Sequence, residues 1–345
     1  MKNLTKPKAL KIGDTIGIVS PSSPLAGLAP HRTKKGIKTL EELGFKVKIG
    51  KNALKIKGYM AGTPKERADD INTFFLDKKI KAIFSFIGGN HSNQILKYLD
   101  FGVIKKNPKI FLGYSDATVL HFALHVKANL VTLYGPAILT QFAENPTILL
   151  YTKTYLYKAL MQTNPIGKIE PSSQWTDEVL DWFKKEDLKR PRKMKRNKGW
   201  QWLKSGKTEG PILGGCISSI LHLRGTEYWP DFRNSILFWE IPESEYDFTK
   251  GEKIENIDSY LTDLELSGVF KEINGMVVGR FFGYSEQEKK EIIKIIKERV
   301  FGYKFPILLN VDIGHSDPMI TVPLGVRVKI DSSKNLFTIE ESGVS

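Results

Sequence analysis

The chain has 345 residues, 41% hydrophobic and 26% charged, an ordinary composition for a soluble globular protein with length for two domains. No segment reaches the apolar length of a membrane span, and the single cysteine excludes an internal disulfide and a cysteine-rich zinc site. The net charge of +14 is unevenly spread: from Lys184 to Lys207 eleven Lys or Arg meet only Glu186 and Asp187, so this segment alone carries +9.

The first residues, Met1 to Lys8, contain no apolar run, so no secretory signal is expected and a cytoplasmic location follows. Thr15 to Ser20 reads as a strand that ends in the loop Pro21-Ser-Ser-Pro24. Lys34 to Leu43 reads as a helix closed by Gly44, and Phe45 to Ile49 as a second strand. Thr63-Pro-Lys-Glu66 predicts a helix start with a capping box and a proline in the first turn, continuing to about Leu76. Lys81 to Ile87 is a strand broken by Gly88-Gly89-Asn90. Ser92 to Leu99 is helical, and Ile110 to Gly113 is the next strand. This alternation predicts a parallel sheet covered by helices, with sites at the carboxyl ends of its strands. Ser20, Gly88-Gly89 and Ser115 all fall at such ends.

Residues 151–210 differ in texture. Pro165, Pro171 and Pro191 interrupt them, and four of the six tryptophans (Trp175, Trp182, Trp200 and Trp202) lie here. The segment reads as a linker plus an insertion that packs poorly on itself. Regular pattern returns at Gly210. Ile212 to His222 leads into a strand, Ser235 to Glu240, that ends in a carboxylate. A helix, Ile257 to Val269, a strand, Gly275 to Gly279, and a basic helix, Glu286 to Val300, follow. Pro306 to Val311 is a strand ending at Gly314-His315. Ile320 to Ile330 and Leu336 to Ile339 look like a closing hairpin.

The stretch Lys109 to Thr118 places Ser115 on a sharp bend between an apolar strand and an apolar helix, Val119 to Val126. A serine there exposes its Oγ beside the free N–H groups of a helix start, as a nucleophile elbow does. The same position also suits a helix N-cap, and Ala117 replaces the last glycine of the usual elbow. Serine needs a base to become nucleophilic, and imidazole suits that near neutral pH when a carboxylate fixes its tautomer. Glu240 and His315 stand at strand ends and follow Ser115 in an order known for such triads. Each has a plainer reading: Glu240 facing water or an arginine, His315 capping a turn. His121 and His125 are one helical turn apart, but no third ligand accompanies them, so they read as core or helix-surface histidines. His91 follows the glycine turn and could touch substrate. Cys216, after Gly214-Gly215, reads either as a nucleophile or as a small buried hydrophobe. The loop Gly88-Gly-Asn-His-Ser-Asn93 lacks the complete phosphate-loop and dinucleotide patterns. It suits an oxyanion hole in which the N–H of Gly89 or Asn90 joins that of Asp116.

These residues together resemble a family of serine peptidases that includes the LD-carboxypeptidases and the microcin C self-immunity peptidases. The stretches that carry the resemblance are 13–22, 88–93, 107–118, Tyr134-Gly-Pro136, Gly214-Gly-Cys216, 236–240 and Gly314-His315. The resemblance implies Ser115 as nucleophile, His315 as base, Glu240 as its partner, and the amides of Gly89 and Asp116 as the oxyanion hole. It implies an α/β chain: an N-terminal flavodoxin-like parallel-sheet domain (1–165), a linker and insertion (166–209), and a C-terminal swivelling α/β domain (210–345), with the site between the domains. It also implies a homodimer that needs no metal or other cofactor. The glycine loop and the long Trp-rich insert look more like the microcin-immunity branch. Expected substrates are an LD-linked murein tetrapeptide or a microcin C-type aminoacyl-nucleotide, with Asn90, His91, Ser92, Trp175 and Trp200 as candidate contacts. Two rival expectations stand beside this one: a nucleic-acid-binding protein using the basic insert, and an esterase or amidotransferase relative with the same elbow.

Overall fold

The computed structural model describes residues 4–244 and 247–345. Two sheets organise it. The first has six strands in the order Val322–Pro323, Leu133–Tyr134, Ile110–Gly113, Ile80–Ser85, Thr15–Val19 and Lys46–Ile49. All its pairings are parallel except the one made by Val322–Pro323. Its central strands are mostly apolar and, apart from the exposed Lys81, buried, as expected for a sheet with both faces covered. The second sheet has eight strands. Lys207–Cys216, Ile236–Glu240, Gly275–Gly279 and Ile307–Val311 form its parallel centre. Arg327–Asp331, Leu336–Ile339 and Gly167–Lys168 extend it antiparallel on one side, and Gln201–Lys204 on the other. The chain is thus mixed α/β in two domains, as expected.

The helix Ala117–Ala128 joins the two halves. Every residue from Ala117 to Leu124 is buried, because one side packs on the first sheet while the other meets Ile217, Ile220 and Phe232 of the second half. Over those eight residues the helix needs no polar face, which explains their apolar run, and only the last turn, His125 to Lys127, reaches solvent. The helix Pro64–Leu76 begins with the expected capping box: Glu66 donates its backbone N–H to Thr63 Oγ1 at 3.2 Å, and Thr63 donates its own to Glu66 Oε2 at 2.8 Å.

Three expectations need correction. The segment Ile320 to Ile330 is not one arm of a hairpin. Val322–Pro323 crosses to the first sheet and pairs with Leu133–Tyr134, while Arg327–Asp331 alone pairs with Leu336–Ile339. The start of the stretch 151–210 is not linker but a helix, Leu150–Met161, which no side chain caps to mark its start. The insert is not poorly packed. It supplies edge strands to both sides of the second sheet, and Gln174–Trp175 pairs with Lys195–Arg196. Buried ion pairs tie it down: Asp187 to Arg32 at 2.9 Å, and Arg192 to both Glu144 and Asp317.

Candidate functional site

Ser115 lies one residue beyond the strand Ile110–Gly113, after Tyr114, and adopts φ 61°, a left-handed conformation that non-glycine residues rarely take. Thr118 holds the bend, donating both its backbone N–H (2.9 Å) and its hydroxyl (2.7 Å) to the carbonyl of Ser115. The plain N-cap reading does not hold. The cap position belongs to Asp116, and no side chain bonds to the helix start. The Asp116 carboxylate turns away and accepts the amides of His91 and Ser92, both at 2.9 Å. That contact pulls the glycine loop over the serine. Arg67, fully buried, holds the other side of the loop by donating to the carbonyls of Pro21 and His91 and to Gln94 Oε1. Gly88 must lack a side chain: a Cβ there would lie 2.7 Å from Ser115 Oγ and 3.2 Å from the Asp116 amide nitrogen. Among the described residues, the amides of Gly89 and Asp116 take no hydrogen-bond acceptor.

Glu240 ends its strand with its carboxylate buried. One oxygen accepts the phenol of Tyr134 at 2.5 Å, and the other accepts His315 Nδ1–H at 2.6 Å. Gly314, at φ 100°, gives the turn before His315 a shape open to glycine, and a side chain there would collide with Glu240 Oε2. Asp312 anchors the same loop through Arg280 at 2.8 Å and through Ser172. The Tyr114 ring lies 5.0 Å from the imidazole. Tyr134 also accepts the backbone N–H of Ser115 at 3.1 Å, so a chain of hydrogen bonds runs from the serine backbone through Tyr134 and Glu240 to His315. Burial, reinforced by the charge of Glu240, raises the Tyr134 phenol well above its ordinary value and keeps it a donor.

The structure therefore links Ser115, Glu240 and His315 across the two domains through Tyr134, and among the described residues no hydrogen bond joins the Ser115 hydroxyl to His315. His315 Nε2 faces Glu243 Oε2 at 3.1 Å. Burial pulls the imidazole down, yet Glu240 and Glu243 together with Asp317 outweigh it and hold its pKa at about 9.

Of the candidate substrate contacts, Asn90 is exposed at the loop tip, and His91 is half-buried with its ring 4.7 Å from that of Tyr59. Ser92 is buried. Trp175 and Trp200 do not offer open indole faces. Trp175 is 9% exposed, with Lys195, Arg280 and Lys289 over its ring, and Trp200 packs on Phe337. His121 is a core residue, as expected, bonded to Thr132 and to the carbonyl of Gly113, and burial pushes it down to about 4. Cys216 is the small buried hydrophobe of the two readings, its thiol raised by burial. In the basic segment, Lys184, Arg190, Arg192 and Lys195 are engaged in ion pairs with acidic side chains, which weakens it as a cationic groove. Among the described residues no group of three or more His, Cys, Asp or Glu is placed to hold a metal ion, and no helix is long and apolar enough to cross a membrane.

Sequence reasoning missed three contributors: Tyr134 as the link between serine and carboxylate, the Asp116 side chain as the loop's anchor, and Glu243. Tyr134 had a readable signal, since it ends a parallel strand beside that of Ser115. Glu243 had none, being an acid on a polar loop.

Residues 16–135 match the LD-carboxypeptidase N-terminal domain, and residues 209–330 the LD-carboxypeptidase C-terminal domain. The chain is 33% identical to the microcin C7 self-immunity protein MccF of Escherichia coli, over 97% of this chain and 96% of that one. It is 31% identical to a probable murein peptide carboxypeptidase of Bacillus subtilis, over 99% and 95%. The structure of MccF in complex with glutamyl sulfamoyl guanosine superposes with a TM-score of 0.91 at 33% identity, covering 99% of each chain.

Proposed function

The chain belongs to the LD-carboxypeptidase family of serine carboxypeptidases, and from that premise we propose that Ser115, His315 and Glu240 form its catalytic triad and hydrolyse an amide in an aminoacyl-nucleotide or a murein peptide. The observation that carries the reading is the buried Glu240–His315 contact on Nδ1, on the same hydrogen-bonded chain as the strained elbow of Ser115. Ser115 Oγ attacks the carbonyl carbon, and its proton passes to His315 Nε2. Glu240 fixes the tautomer and steadies the imidazolium. The amides of Gly89 and Asp116 receive the oxyanion. His315 then protonates the departing amine, and water repeats the sequence on the acyl-enzyme. Similarity to MccF, solved with a glutamyl-sulfamoyl nucleoside, supports the aminoacyl-nucleotide class, and similarity to the murein enzyme supports the peptide class. The reading includes a cytoplasmic homodimer that works without a metal. Product mass spectrometry on an LD-linked murein tetrapeptide and an aspartyl-adenylate amide tests it: cleavage of either at the stated amide supports the reading, and cleavage of neither contradicts it.

Two substitutions probe the support of the nucleophile. Tyr134→Phe leaves the Ser115 amide and one Glu240 oxygen without their partner, each a buried group worth about 1–3 kcal/mol. It should lower kcat by roughly tenfold to a hundredfold with little change in KM, and lower Tm. Steady-state kinetics and a thermal melt check both. Gly88→Ala should push Ser115 aside. A displacement near 1 Å costs on the order of a hundredfold in kcat, which kinetics on the folded variant would reveal.

A further inference from the structure

Resting on the triad reading, we propose that Glu243 selects substrates with a free ammonium group on the acyl side of the scissile amide. Its carboxylate holds His315 Nε2 in this structure and gives it up to the substrate's cation.

The argument begins with the ring. His315 presents Nδ1 to Glu240 at 2.6 Å and Nε2 to Glu243 at 3.1 Å. A carboxylate on each nitrogen keeps both protonated, and an imidazolium has no lone pair to accept the Ser115 proton. The Glu243 contact must therefore break before each turnover. The described residues at both ends of the loop are tied together by their backbone. Glu243 bridges Gly251, Ser244 donates its N–H to the carbonyl of Lys250, and Glu252 donates its own to the carbonyl of Pro242. Gly251 in turn lies so close to the Tyr284 ring and the Phe282 carbonyl that a Cβ would not fit. The Glu243 side chain, by contrast, is 36% exposed while that of His315 is 5% exposed. The movable part is the carboxylate itself.

The surroundings decide what can draw it away. Glu240, Glu243 and Asp317 all act on His315, the Tyr114 ring covers it, and the nearby cation Arg192 is committed to Asp317 and Glu144. An anionic substrate group beside Glu243 would be repelled, whereas an ammonium is a compact point charge suited to an exposed carboxylate. In an aminoacyl amide the α-ammonium sits on the carbon next to the attacked carbonyl. When that carbonyl lies between Ser115 and His315, the ammonium approaches the edge of the imidazole that Glu243 occupies. With Glu243 turned to the ammonium, the Nε2 proton leaves to solvent and the ring becomes a base. The elevated His315 value, near 9, is the expected companion of the double clamp. The same contact thus sets selectivity and keeps the triad inactive until a cationic acyl group arrives.

Calorimetry with the Ser115→Ala protein tests this, using glutamyl sulfamoyl guanosine and its Nα-acetylated form. The free-amine ligand should bind at least about tenfold tighter, and adding Glu243→Gln should bring the two within about twofold; this is the loss of one charged contact. In the active enzyme, the acid limb of kcat, which reports the bound complex, should fall at lower pH than that of kcat/KM, which reports the free enzyme. The gap should close in Glu243→Gln. Equal binding of the two ligands, binding of neither, or a preference that survives Glu243→Gln would each overturn the proposal. Failure of the triad reading is a separate result: Ser115→Ala would then hydrolyse substrate as fast as the parent enzyme.

Discussion

Ser115→Ala should reduce turnover about a million-fold, on the order of 8 kcal/mol in the barrier, while the protein stays folded. The two halves of this expectation have separate grounds. The hydroxyl makes no hydrogen bond to another described residue, so its loss leaves no buried partner exposed. The contacts that hold the bend go to the Ser115 backbone, from Thr118 and to Tyr134, and alanine keeps them. Alanine also meets the same left-handed φ as serine, so the strain changes little. What disappears is the atom that attacks the carbonyl. The residual rate would come from substrate binding and from the Gly89 and Asp116 amides, which is why a triad lacking its nucleophile still exceeds water by a few thousand-fold. Single-turnover kinetics beside a circular-dichroism melt separate loss of chemistry from loss of fold.

Glu240→Gln should cost about ten-thousand-fold in kcat, on the order of 5 kcal/mol, by inverting a tautomer. The glutamate is acceptor-only and receives Tyr134 O–H and His315 Nδ1–H on its two oxygens. A glutamine has one oxygen and one NH2 in that space. If its oxygen keeps Tyr134, its NH2 faces Nδ1, so the ring carries its proton on Nε2 and presents no base to Ser115. If its oxygen keeps Nδ1, the NH2 opposes the Tyr134 hydroxyl, which then has to rotate. In either orientation the negative charge that stabilises the imidazolium is gone. The pH profile distinguishes this from simple misfolding. With Glu240 removed, the elevation of His315 falls, and the remaining activity should titrate at lower pH than in the parent. A linked stability effect has a defined sign. His315 is raised in the folded state, so its contribution is present below its unfolded value near 6.5 and disappears as pH rises through about 9. Glu240→Gln should therefore lose more stability at pH 6 than at pH 9.5.

Local chemistry made much of this molecule readable. The Thr63–Glu66 capping box involves residues three apart, and both of its bonds exist. The strands at Thr15–Val19, Ile110–Gly113 and Gly275–Gly279 are short apolar runs bounded by turn residues, and each lies where its pattern predicts. Ser115, Glu240 and His315 stood out as candidates because each lies at or just past the carboxyl end of a parallel strand, Ser115 in the first sheet and the other two in the second. Long-range partners were not readable. Val322–Pro323 has the apolar pattern of a hairpin arm, and its pattern does not reveal that its partner is Leu133–Tyr134. The insert displays its cations openly, but Arg192 finds Glu144 and Asp317, and Arg32 finds Asp187, from far along the chain. A charge run identifies a solvated segment only when such partners are missing. The same limit hid Glu243, whose meaning depends wholly on the imidazole facing it.

The most direct measurement of the central claim is peptide mapping after treatment with an activated phosphonate that carries a free α-ammonium group, the cation that draws Glu243 off His315; it reacts with a serine only when a neighbouring base takes its proton. A single adduct on Ser115 in the parent protein, abolished in His315→Ala, is the predicted result. An adduct on a different residue, or labelling of Ser115 at the parent rate without His315, would contradict it.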